Sequence, residues 1–423
     1  MHKITALLFL SLLWKATVAQ LSFPNYAITG VNIIDANHKV PVSHQTVLIA
    51  NHNISEIFND GSKAIPDSFV IMKMDGKYML PGLIDAHVHM ATDPSIENYR
   101  ELTIDVLKRM LYNGVTSVRD MAGDARTLAG LSRDALTGDI ISPDIYYSAL
   151  MAGPVFFSDP RTATTTRGAL PGKMPYMLAV TDSTNLVLAL AEAKGTGATG
   201  IKLYANLSAH LVNKIVDEAK KQGILVWGHA WLQDAKPSDV VKAGVTPISH
   251  SPLLIYDKMD SIPKSWKNGQ TDYKLIGDSV PDLSSLFQLM KAHNTILDAT
   301  MLTYKQWGQD DSNMRYEYEI TKRITAQAYK AGVTIDAGTD DDQKEFVQKE
   351  MELLVKDAGF TAIDAIIAAT LNSAKALHID NKVGTLSVGK RADLLLLDKN
   401  PLENIENVES VFLVIKAGKL YKN

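Results

Sequence analysis

The 423 residues predict an α/β fold: a (β/α)8 TIM-type barrel with a small β-sandwich domain built from both chain ends. Three observations carry this. From Pro81 onward, short apolar runs alternate with helical stretches. The two chain ends share a different, strand-like texture. Polar residues fall at the ends of several apolar runs, where a barrel keeps its active site.

In chain order, MHKITALLFLSLLWKATVAQ runs from a short basic start through an apolar core to a small-residue stretch. It is too short and too interrupted to span a bilayer and reads as a signal peptide over 1–19, with the mature chain starting near Gln20. Residues 20–80 then alternate in strand-like runs (YAITGVNIID, QTVLIANHNISEIF, SFVIMKMDGKYML), and 381–423 repeat that texture in RADLLLLD and VESVFLVIKAGKLY. These two segments are expected to pair into one composite β domain around a barrel spanning 81–380. The eight barrel strands are predicted at LIDAHVH, VTSVRDM, DIYYSAL, GIKLYA, ILVWGHA, VTPISHS, TILDAT and VTIDAGTD. Helical segments between them, such as SAHLVNKIVDEAKKQG, often end in glycine, as a helix C-cap does. A doubly wound sheet is the competing arrangement of the same alternation.

Composition narrows the partners. With 43 basic against 47 acidic residues and a net charge of −4, no nucleic-acid footprint is present. There is no cysteine. An exported chain of this kind has no disulfide framework, and a bound metal must take histidine, carboxylate or modified lysine ligands. Secretion or transfer to a periplasm, a small-molecule substrate, no membrane association after processing and, compatibly, a homo-oligomer are the expectations that follow.

The segment PGLIDAHVHM carries Asp85, His87 and His89 at alternate positions, which on a strand places all three on one face. His87 and His89 end strand 1, Lys202 lies in strand 4, His229 ends strand 5, His250 ends strand 6 and Asp340 ends strand 8. Six candidate metal ligands thus converge on one rim. Each has a plainer reading: satisfied interior histidines, an Asp340 that caps a helix, a Lys202 in an ordinary ion pair. An unpaired ammonium inside a barrel is costly, however, and a neutral lysine amine can add carbon dioxide. The carbamate offers two oxygens able to bridge two cations.

Taken together, PGLIDAHVHM, GIKLYA, WGHA, ISHS, AGTDDD and VGTLSVGKRADLLLLD resemble the hallmark segments of the amidohydrolase superfamily, in particular the branch of imidazolonepropionase and the zinc-dependent prolidase-like dipeptidases. The resemblance implies that His87, His89 and Asp340 hold one metal and that His229 and His250 hold a second. It further implies that carboxylated Lys202 bridges two ions, zinc by preference, with manganese or iron as alternatives. His250 departs from that branch in its flanks, sitting in SHS where an acidic residue before and a glycine after are usual.

Two cations sharing a water would present hydroxide to a polarised carbonyl, with Asp340 as base and then acid. Tyr204, two residues beyond Lys202, is aimed into the same site as a donor to the carbonyl oxygen or as core packing. Asp85 either orients a ligand or bonds backbone. The long loops after strands 3 and 6 carry Arg161, Arg167 and Lys173, and Lys258, Lys264 and Lys267, as cations for a substrate carboxylate; their length suggests a lid. The expected activity is hydrolysis of amide-type C–N bonds in dipeptides, N-acyl amino acids or cyclic amides. The alternatives are a mononuclear deaminase or imidazolone hydrolase, and a catalytically silent metal-binding scaffold. Lactone hydrolysis uses the same chemistry.

Overall fold

A computed structural model describes residues 24–92, 99–258, 280–340 and 345–422. The predicted signal peptide, Lys264 and Lys267 lie outside them.

The chain opens with five strands, β1 (Asn25–Asp35), β2 (His38–Ala50), β3 (Asn53–Asn59), β4 (Phe69–Lys73) and β5 (Tyr78–Pro81). Three more close it, β16 (Leu394–Leu397), β17 (Val411–Lys416) and β18 (Lys419–Tyr421). All eight belong to one hydrogen-bonded sheet in the order β18-β17-β16-β5-β1-β2-β3, with β4 beside β1. The junction is β5, which runs parallel to β1 and antiparallel to β16, so Leu80 faces Leu395 and Met79 faces Leu396 across the two chain ends. Ile28, Val31, Ile33, Val47, Leu394, Leu396 and Ile415 pack as its apolar core.

Between the ends lie the eight predicted barrel strands: β6 (Leu83–Val88), β7 (Val115–Asp120), β8 (Asp144–Ala152), β11 (Gly200–Leu203), β12 (Leu225–His229), β13 (Ile248–Ser249), β14 (Ile296–Asp298) and β15 (Thr334–Asp336). Each pairs in parallel with the next. The last seam is made by single bonds. Ala86 N donates to Ala337 O at 2.9 Å and Asp340 N to His87 O at 2.8 Å. The strands are buried almost throughout, as strands covered by helices must be. The helix Ala209–Gln222 shows the covering layer at work. It buries Leu211, Val212, Ile215, Val216 and Ala219, one stripe at helical spacing. Ser208 caps its start, accepting from Leu211 N, and Gly223 ends it at φ 65°, a conformation a side chain resists.

The loop after β8, whose length suggested a lid, is built of short regular elements. It holds a 3-10 turn (Pro154–Ser158), a short helix (Pro160–Thr165) and the hairpin β9 (Lys173–Met174) and β10 (Met177–Ala179). β10 extends the barrel sheet by pairing with β8, which satisfies backbone groups that a free loop would leave to water. Lys258 follows a second 3-10 turn (Ser251–Asp257) and donates to Ser285 Oγ.

A buried ion cluster fastens the composite sheet to the barrel. Asp144, at the start of β8, takes Lys416 Nζ on one oxygen and Arg391 Nη1 on the other, both at 2.6 Å. Burial would raise the Asp144 carboxyl, but the two cations outweigh it and hold the carboxyl below its ordinary 3.8. Asp144→Asn is therefore expected to cost about 3 kcal/mol at pH 7, because the largely buried Lys416 loses its anion and Arg391 is left with Asp393 alone. A carboxyl with a depressed folded-state pKa stabilises above its unfolded pKa and ceases to as the pH falls through the folded one. The gap between wild type and variant in denaturant unfolding should shrink below about pH 4. Equal stability at pH 7 would refute the latch.

Candidate active site

The barrel brings together the six residues that the sequence singles out. His87 lies in β6 and His89 just past it, Lys202 in β11, and His229 at the end of β12. His250 follows β13 with φ 76°, and Asp340 lies beyond β15 with φ 48°. Both are left-handed backbones that cost a side-chain-bearing residue energy, and both are held by backbone bonds. His250 N donates to Asp298 O and Asp340 N to His87 O, each at 2.8 Å. These reversals turn both side chains over the barrel mouth.

Asp340 sits at the centre. Its Oδ1 lies 3.3 Å from His87 Nε2 and 3.0 Å from His89 Nε2, and its Oδ2 lies 3.8 Å from His250 Nδ1. Lys202 Nζ is 3.3 Å from His87 Nε2. The His229 and His250 rings are 4.5 Å apart, edge to face. His87, His250 and Asp340 each offer a ligand atom within 4.8 Å of the others, a spacing that fits a metal ion. Tyr204 joins the site as alternation predicts, its ring 4.0 Å from that of His229 and 4.4 Å from that of Phe156.

The model of the Amidohydrolase family matches residues 78–421, from β5 through β18. The chain belongs to the amidohydrolase family. It is a hydrolase acting on carbon–nitrogen bonds. Among curated proteins it is 25% identical over 387 residues to ochratoxinase from Aspergillus niger, across 81% of this chain and 75% of the relative. A shorter stretch of 90 residues is 34% identical to imidazolonepropionase from Syntrophobacter fumaroxidans, 21% of either chain. Among solved structures, a Xaa-Pro dipeptidase with bound methionine superposes with a TM-score of 0.78 at 23% identity, over 94% of this chain and all of the other. The Aspergillus niger ochratoxinase structure gives 0.74 at 22%, over 94% and 96%. At such identities the superpositions speak for the fold.

In this amidohydrolase the electrostatics of five of these residues suit a cation. Burial, and then the neighbouring Lys202, hold His87 well below its ordinary range. Burial and His250 do the same to His229, and burial brings His250 down to about 4. Burial alone would raise Asp340, but His87, His89 and His250 pull it well below the carboxylate range. Burial lowers Lys202 to about 8, against the pull of Asp340 and Asp298. His87 directs Nδ1 at Asp298 Oδ2, 2.6 Å away, which assigns the proton to Nδ1 and leaves a lone pair on Nε2. That lone pair faces the lone pairs of an ionised carboxylate. A cation between them satisfies both, so the residues fit the divalent metal that the family generally uses.

Three residues that the sequence reading passed over complete the site. Asp298, rather than Asp85, orients the His87 ring. Asp85 instead accepts from His87 N at 3.2 Å and from Thr339 N and Oγ1 at 3.1 and 2.9 Å, tying β6 to the segment after β15. Ser249 donates to the same Asp298 oxygen at 2.9 Å, and the buried Arg119 reaches it at 3.3 Å. The signal was a charged residue inside an apolar run, in TILDAT and VTSVRD. Of the loop cations, Arg161 reaches the site, with a hydrogen bond to Tyr204 and an ion pair to Asp159 at 2.9 Å. Arg167 lends its carbonyl to Arg126, and Lys173 lies exposed in β9.

Gly338 explains the glycine of AGTD. A Cβ there would stand 2.5 Å from His87 Cβ and 2.7 Å from Asp298 Oδ1. Gly338→Ala should destabilise by about 1–3 kcal/mol through overpacking and displace the His87 ring. Denaturant unfolding and metal retention on dialysis are the measurements, and an unchanged variant would mean the crowding is relieved elsewhere.

Proposed function

We propose that the protein hydrolyses amide-type C–N bonds of small substrates, such as dipeptides, N-acyl amino acids or cyclic amides, and that it does so with two divalent cations. His87, His89 and Asp340 would hold one, and His229 and His250 the other. Carboxylated Lys202 would bridge them. The observation that carries this reading is Lys202 itself. Its amine is buried and stands 3.3 Å from an unprotonated imidazole nitrogen, and no carboxylate lies within ion-pair distance among the described residues. A buried amine so placed is a poor structural cation and a good acceptor of carbon dioxide. The N–C bond forms with loss of one proton, giving a carbamate whose oxygens replace a missing carboxylate.

Zinc, manganese or iron there would polarise the substrate carbonyl and bring the pKa of a water towards neutrality. Asp340, ionised and facing the same point as the imidazoles, takes the proton of the attacking water. It then returns that proton to the leaving nitrogen, acting first as base and then as acid. Tyr204 supplies a hydroxyl to the carbonyl oxygen. Arg161, beside it, is placed to receive a substrate carboxylate. Membership of the amidohydrolase family and the likeness to ochratoxinase support an amide-type bond as the scissile one. The apolar N-terminal segment supports export, and no helix among the described residues is long and apolar enough to cross a membrane.

The test is elemental analysis of protein purified without chelators, followed by a panel of dipeptides and N-acyl amino acids. About two equivalents of metal with amide turnover is the expected result. About one equivalent, with activity confined to deamination or imidazolone rings, would move Lys202 out of the centre and overturn the binuclear reading.

A further inference from the structure

Arg119 is a fully buried arginine in β7, on the barrel interior, one of the largest side chains with no solvent exposure. An arginine in such a place is retained only if its donors are well used. Its guanidinium carbon lies 4.9 Å from the centre of the Trp227 ring, which covers one face. The remaining contacts lead to His87 from two directions. Nε donates to the carbonyl of Ala86 at 2.5 Å, the peptide that begins His87. Nη2 lies 3.3 Å from Asp298 Oδ2, the oxygen that accepts His87 Nδ1 at 2.6 Å and Ser249 Oγ at 2.9 Å. Nη1 has no hydrogen-bond partner among the described residues, so the bonds that Arg119 makes are spent on the two flanks of one histidine.

A planar guanidinium holds its donors in a fixed fork. With one donor on the Ala86 carbonyl and another on Asp298 Oδ2, the separation between the His87 backbone and its ring partner is set by a rigid group. The carboxylate cannot turn away from Nδ1 without breaking the Arg119 and Ser249 bonds as well. A lysine offers a single point charge on a flexible stem and cannot span both acceptors in the same geometry.

We propose that Arg119 is a positioning residue for His87: by clamping Ala86 O and Asp298 Oδ2 together, it fixes the His87 ring and its Nδ1–H tautomer, so that Nε2 faces the barrel mouth as a lone-pair donor. The functional value of this clamp rests on the proposal that His87 is a metal ligand. The clamp itself does not.

The experiment uses the metal-free full chain labelled with 15N-histidine, with His87→Asn to assign the ring signals. Wild type is expected to show His87 protonated at Nδ1 alone. Arg119→Met, which keeps a long apolar stem against Trp227, should give mixed tautomers and a zinc affinity lower by about 10–100-fold in chelator competition. Arg119→Lys should recover only part of either signal, whereas Ser249→Ala, which removes one donor from Asp298, should change both less. A folded Arg119→Met with the wild-type tautomer and zinc affinity overturns the proposal. If Arg119→Met does not fold, Arg119→Lys decides: wild-type behaviour in both measurements overturns the clamp, and partial loss supports it. The tautomer measurement needs neither metal nor substrate. A wild type that binds no zinc and cleaves no amide would therefore remove the proposed function while leaving the clamp to be judged by that signal.

Discussion

Asp340→Asn is expected to lower kcat by about 100- to 10,000-fold while the protein still folds. The substitution is tolerated locally for two reasons. The backbone at position 340 is left-handed, which asparagine adopts more readily than most residues, and the bond from its N–H to His87 O does not involve the side chain. The chemistry does not survive. An amide cannot take a proton from water or carry it to a leaving nitrogen, and its NH2 group, if turned to His89 Nε2, 3.0 Å from Oδ1 in the wild type, would set a donor where the proposed metal site needs an acceptor. Steady-state kinetics on an amide substrate, read beside circular dichroism and metal content, decides the matter. Substantially retained kcat would remove Asp340 from proton transfer.

Lys202→Met is expected to separate function from stability. Methionine matches the length of the stem and brings no charge into a buried site, where the amine is held down to about 8. The metal-free variant should be as stable as wild type at pH 7, or more stable by up to roughly 3 kcal/mol, the scale of the burial penalty it removes. Yet it should lose metal and more than about 100-fold in activity, a greater loss than removing a supporting partner produces. Denaturant unfolding of the metal-free chain and elemental analysis of the purified chain are the two readouts. Full activity with both ions retained would place Lys202 outside the centre.

The candidate ligands were legible because a barrel interior is apolar by default. His87, His89, Lys202, His229, His250 and Asp340 stand out against their own strands, and the strands announce themselves by their alternation with helices. The support of the set was not legible to the same degree. Asp298 and Arg119 also interrupt apolar runs, but their meaning lies in partners far along the chain: Asp298 meets His87 across 211 positions and Arg119 across 179. Asp85 sits two residues from His87, and proximity in sequence suggested a role at the ring that Asp298 performs from another strand. The helices and hairpin after β8 were missed for a related reason. The hairpin is held by the pairing of β10 with β8, and short segments of that kind carry little periodicity of their own.

The sequence by itself determined the barrel, the sheet shared by the chain ends, the family and the identity of the residues gathered at the mouth, because each of these is written in local patterns of burial and in residue chemistry. The tertiary structure alone decided how those residues face one another: the His87 tautomer set by Asp298, the reversed backbones that aim His250 and Asp340, the reach of Arg161 to Tyr204, and the Arg119 fork behind them. Such features depend on hydrogen bonds whose range is about 3 Å, between groups that chain order leaves far apart, and only the packed fold fixes distances on that scale.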